Sequence, residues 1–131
     1  MIRVLLLLVA AATSHAFADE QPISLLAGSY DFREIGASGA GCQVVLKIAP
    51  VSNGDRELRP VDIASACRAK FASLRRVTHW VATGGASVAL YGDDGMTEIA
   101  DFSPVQDGTG VYLRGGFAAD TRLYELIPLA K

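Results

Sequence analysis

Paired turn residues punctuate this chain more regularly than anything else does. Asn53-Gly54, Gly84-Gly85, Asp94-Gly95, Asp107-Gly108 and Gly115-Gly116 each offer the positive φ that a tight hairpin requires. The segments between them alternate in polarity. Tyr30 and Phe32 alternate with Ser29, Asp31 and Arg33, which predicts a first strand with one aromatic face. Cys42, Val44, Leu46 and Ile48 line one side of a second strand. Thr78, Trp80 and Ala82, then Val88 and Leu90, then Ala100 and Phe102 mark three more, and segments 111–114 and 123–127 complete the set. Asp94-Gly95, lying between Leu90 and Phe102, is the strongest hairpin signal. Only the alanine-rich stretch from Ile63 to Leu74 breaks the rhythm and favours a short helical excursion. Seven or eight short strands at this spacing predict an all-β domain, a small antiparallel barrel or a sandwich. A barrel has the advantage of leaving no exposed edge strand.

The first 18 residues stand apart from this pattern. Arg3, an apolar run from Val4 to Ala12 and the small-x-small sequence Ala16-Phe17-Ala18 are ordered as in a secretory signal, with the cut expected before Asp19. Cleavage after Ala16 satisfies the same rule. The apolar run is too short to span a bilayer, which takes about 20 residues. The expected product is periplasmic or secreted, a single domain of about 113 residues. Without Arg3, it carries 11 basic residues against 14 acidic ones, a balance that argues against nucleic acid or an anionic membrane as partner. In an exported chain, the lone pair Cys42 and Cys67 reads as a disulfide tying the helical excursion to the second strand.

Groups for catalysis or metal binding are scarce. The mature part has one histidine, His79, whose strand position beside Trp80 points it away from the core, and nothing local marks a nucleophile. One histidine and two paired cysteines fall short of a zinc site, and Asp93-Asp94-Gly95 lacks the further ligands of a calcium loop. The stretch from Gly36 to Gly41 has no following Lys-Ser/Thr and leads into a strand, so it reads as a connection and not as a phosphate cradle. Arg68, Lys70, Arg75 and Arg76 read as a solvated basic face. No enzyme, cofactor or metal is expected on these grounds. Tyr30, Phe32, Trp80, Phe102 and Tyr112 are expected to fill the interior of a small barrel.

Taken in order, Leu26-Ala27-Gly28 with Tyr30, then Cys42 with Val44 and Leu46, Cys67, Trp80, Leu90 before Asp94-Gly95, Phe102 and Tyr112 cover almost the whole mature chain. In this order they resemble the bacterial alkaline proteinase inhibitors of the Inh type, which block secreted serralysin-like zinc metalloproteases. The resemblance implies an eight-stranded antiparallel barrel closed by one disulfide, a monomer that binds its protease one to one. It also implies an N-terminal arm that enters the active-site cleft. Here the arm would be Asp19, Glu20, Gln21, Pro22, Ile23, Ser24 and Leu25, with the barrel starting near Leu26. Pro22 biases the arm toward extended backbone, and seven extended residues reach at most about 23–25 Å. The competing expectation, from another class, is a non-enzymatic envelope barrel that binds an apolar small ligand or another envelope protein.

Overall fold

Alternation decides which face of each strand is buried. The computed structural model describes residues 23–49, 51–53, 56–108 and 110–129. In β1 (Gly28–Glu34), Tyr30 and Phe32 turn inward while Asp31 and Arg33 turn outward. The same rule places Val44 and Leu46 of β2 (Cys42–Leu46), Val61 and Ile63 of β4 (Arg56–Ile63) and Trp80 of β5 (His79–Gly84) in one core. Val88 and Leu90 of β6 (Ser87–Tyr91), Ala100 and Phe102 of β7 (Glu98–Asp107), Leu113 and Phe117 of β8 (Gly110–Phe117) and Tyr124 and Leu126 of β9 (Leu123–Pro128) complete it.

Every pairing is antiparallel. Neighbours in sequence pair from β4 through β9, β9 returns to β1 with Phe32 opposite Leu126, and β2 closes the circle on β4 with Val44 opposite Ile63. The result is a closed eight-stranded barrel, to which β3 (Val51–Asn53) adds a short hairpin on the outer end of β4. Charges sit outside with the exception of Arg59: Arg33 pairs with Asp31, and Arg114 lies 3.4 Å from Glu125. On the outward face of β4 to β6, Leu58, Ala89 and Tyr91 form a second, smaller buried cluster with Val81 packed against it. No described helix is long and apolar enough to cross a membrane.

The helical excursion forms where the alanine-rich stretch predicts it, as α2 (Ser65–Lys70) followed by a 3-10 turn (Ala72–Leu74), and it covers one barrel mouth. Cys67, Leu74 and Val77 are fully buried beneath it, and Cys67 is bonded to Cys42 at the start of β2. Phe71 meets Phe32 edge-on with centroids 4.9 Å apart, and Phe32 stacks on Tyr124 at 5.1 Å. The Arg68 guanidinium donates to the carbonyls of Leu74 (2.8 Å), Arg75 (3.0 Å) and Val77 (3.0 Å). Lys70 donates to the Ala40 carbonyl. Arg75 donates in turn to the Arg68 carbonyl at 3.4 Å, so three of the four basic residues in the cluster hold backbone in place. Asp120 joins the lid to the wall, accepting from Tyr124 Oη, from Ser73 Oγ at 3.2 Å and from the Arg122 amide at 3.0 Å.

Three turn and strand expectations need correction. Gly115-Gly116 is not a turn but lies inside β8, opposite Phe102 and Asp101. A Cβ at Gly115 would stand 1.9 Å from the Asp101 carbonyl oxygen, so the residue is glycine because β7 passes too close for a side chain. Gly115→Ala should accordingly lower stability by about 2 kcal/mol or more, since the obstacle is backbone and cannot rotate away. Chemical denaturation measures it. Second, Tyr112 does not join the core, because the inward positions of β8 are Leu113 and Phe117 and parity turns Tyr112 outward, half-buried. There it supports Arg114, which lies over its ring and donates to its hydroxyl at 2.9 Å. Third, β2 ends at Leu46, and Ile48 leaves the inward stripe with 53% of its surface exposed.

Asp94-Gly95 does mark the β6–β7 connection, although as the centre of a longer loop. The Asp94 carboxylate accepts from the amides of Met96 (2.9 Å) and Thr97 (3.0 Å) and from Thr97 Oγ1 (2.6 Å). These bonds, chiefly those from Thr97, hold its carboxyl down at about 2. A depressed carboxylate stabilises the fold fully above the unfolded pKa of about 3.8 and loses that contribution as pH falls toward 2. Asp94→Ala should therefore melt earlier than the parent at neutral pH, and the two melting temperatures should converge as pH approaches 2.

Candidate functional site

The mouth opposite the α2 lid is where the N-terminal segment joins the barrel. The first described residues form one helical turn, α1 (Ile23–Leu26), closed by the Ala27 amide donating to the Ile23 carbonyl at 2.9 Å. Gly28, at φ 144°, then turns the chain into β1. Leu26 is buried, the Tyr30 hydroxyl donates to its carbonyl, and Ile23 packs on the core. Of the seven arm residues, Asp19, Glu20, Gln21 and Pro22 lie outside the described residues. Ile23, Ser24 and Leu25 are helical and not extended, and the first strand begins at Gly28, two residues after Leu26, whose side chain is already in the core. Burial of Ile23 and Leu26 is the physical reason: a helical turn lets both reach the core, whereas an extended chain would alternate one of them away.

Around α1 the rim is largely apolar, with Lys47 the exposed charge beside Ile48. Leu25 is 67% exposed, and Val111 near the β7–β8 turn (54%), Leu129 after β9 (40%) and Ile48 after β2 (53%) belong to the same mouth. Pro104, Val111, Tyr112, Pro128 and Ala86 line a groove of about 330 Å³ along one side of Leu25, with no ionisable group except tyrosine on its walls. Ile48 and its neighbours border a second groove along the other side of α1, against Ser24, Ala27 and Gly28. Scattered apolar side chains on a surface mean little, but several gathered at the point where the chain emerges form a contact surface.

Beneath this rim the interior is filled. Trp80 is fully buried, and its Nε1 donates to the Lys47 carbonyl at 2.9 Å. Phe102 and Phe117 meet edge-on at 6.1 Å, and Phe117 meets Tyr124 at 5.2 Å. Tyr30, Trp80 and Phe102 thus occupy the core as their alternation predicts. Arg59 points inward from β4 and is buried. Its guanidinium donates to the Ile48 carbonyl and stands 3.1 Å from the Glu57 carboxylate. Arg59 sits in step with Val61 and Ile63 on the inward stripe, a charge that strand alternation alone does not single out.

The chemistry-bearing residues do not converge. His79 faces outward, with Nδ1 2.8 Å from Thr78 Oγ1. Among the described residues, no three His, Cys, Asp or Glu side chains gather as a metal site. The Gly36–Gly41 stretch is the β1–β2 connection, as its lack of a following helix suggested. No family model, curated protein or solved structure matches the chain.

Proposed function

We propose that the protein is an exported inhibitor of a serralysin-type zinc metalloprotease, which it blocks by placing its N-terminal arm in the active-site cleft while the surrounding rim rests on the cleft's edge. The observation that carries this reading is the rim itself: four of the six large apolar side chains exposed among the described residues, Leu25, Ile48, Val111 and Leu129, lie at the mouth where α1 sits, against Met96 and Leu123 toward the α2 end. The ordered landmarks that resemble Inh-type inhibitors support it, as does a rigid, closed barrel, because a firm base lowers the entropy lost when a short arm is fixed. The inserting part is taken as Asp19 to Pro22, since Ile23–Leu26 form a helical turn that packs on the core through Ile23 and Leu26 and leaves Ser24 and Leu25 exposed. Extended backbone in such an arm is suited to pairing with a strand lining the cleft. A side-chain-filled interior gives no support to carriage of an apolar ligand inside the barrel.

The test is an activity titration. Mature protein added to a serralysin-type protease should remove proteolysis in proportion to the amount added, ending near one inhibitor per enzyme, and should leave a serine protease untouched. Undiminished metalloprotease activity at large excess would overturn the proposal.

A further inference from the structure

An isoleucine that ends an inward stripe would ordinarily be buried, yet Ile48 is 53% exposed, and the reason lies in the chain on either side of it. Two successive carbonyls, those of Lys47 and Ile48, are turned inward to meet buried donors, Trp80 Nε1 at 2.9 Å and the Arg59 guanidinium. The Lys47 amide is held as well, donating to the Pro60 carbonyl at 3.0 Å. With the backbone tied from within, the Ile48 side chain has only the outside to occupy.

Arg59 is a costly way to achieve this. It is 7% exposed, and its carboxylate partner among the described residues, Glu57, is largely in solvent. A hydrophobic residue at an inward barrel position is generally as stable as a buried ion pair or more so, so stability alone does not account for the arginine. What the arginine adds is a fixed course for segment 47–49. Ile48 borders the groove against Ser24, Ala27 and Gly28 of the α1 region, so the course of this segment sets the spacing between Ile48 and the base of the arm.

We infer that Ile48 is a docking residue for an apolar lip of the cleft that receives the arm, with Lys47 exposed beside it on the same groove, and that Arg59 is a positioning residue that presents it. The inference rests on the inhibitor reading. Preorganisation of this kind strengthens binding by removing the entropy of ordering the contact.

The test uses the full mature chain against a serralysin-type protease, with Ile48→Asp, Arg59→Met and the double variant. Ile48→Asp should weaken inhibition roughly tenfold or more, the loss expected of a central apolar contact, with the melting temperature unchanged. Arg59→Met should weaken it similarly, speed hydrogen exchange in a peptide covering segment 47–49, and cost nothing further in the Ile48→Asp background. If the parent inhibits and Ile48→Asp inhibits equally well, the docking role is wrong while the inhibitor reading stands. If Arg59→Met weakens the Ile48→Asp protein by its full factor again, Arg59 does not act through Ile48. A parent that fails to inhibit overturns both readings together.

Discussion

Trp80→Ala is expected to lose about 3–5 kcal/mol of stability, enough to consume most of what a domain of this size possesses. The indole is completely buried, lies between Arg59 of β4 and Leu90 of β6, and supplies the donor for the Lys47 carbonyl. Its removal therefore opens a cavity at the arm-bearing mouth and strands a carbonyl. Trp80→Phe keeps most of the volume and loses only the donor, so it should retain more than half of the lost stability. Urea unfolding followed by circular dichroism distinguishes the two; equal losses would mean that the hydrogen bond, and not packing, governs the site.

Breaking the Cys42–Cys67 bond ranks next. It closes a loop across a sequence separation of 25, for which chain-entropy reasoning gives about 3–4 kcal/mol. The paired variant Cys42→Ser/Cys67→Ser should melt about 10 °C or more below the parent. The effect should be local before it is global. The bond fastens the α2 lid to β2, while Arg68 and Ser73 secure the lid's own loop and its contact with Asp120. Hydrogen exchange in the cysteine-free protein should rise first across Ser65–Leu74, ahead of β6 to β9. Uniform acceleration throughout the barrel would contradict the lid's separate standing.

Much of the barrel was legible in the sequence because alternation and turn chemistry act locally. Tyr30, Phe32, Trp80 and Phe102 lie inward where period two places them, and the helical excursion and its disulfide fall where composition breaks the strand rhythm. The misreadings share one physical cause, tertiary contact overriding a local signal. A Gly-Gly pair that permits a turn equally permits the close approach of β7 to β8, and only the Asp101 carbonyl decides between them at Gly115. Tyr112 is aromatic in a strand, but β8 takes its parity from Leu113 and Phe117. Ile48 continues the β2 alternation in sequence, while side chains from β4 and β5 capture the backbone and end the strand. The rim of Leu25, Ile48, Val111 and Leu129 was the least legible feature of all, since it is assembled from four positions far apart in the chain. The clue that was present is Arg59, a charge set in step with Val61 and Ile63 on an otherwise apolar stripe.

The structure also moves the cut that tests the arm. Removing residues through Ile23 would disturb the core, because Ile23 packs against it and its carbonyl closes α1. The informative comparison is therefore between a chain beginning at Asp19 and one beginning at Ile23, each titrated against a serralysin-type protease with its melting temperature recorded. The longer chain should inhibit one for one. The shorter should melt within about 2 °C of it, a difference of less than about 1 kcal/mol, and leave the protease active. Equal potency in the chain that lacks Asp19 to Pro22 would contradict an inhibitor that works through its arm.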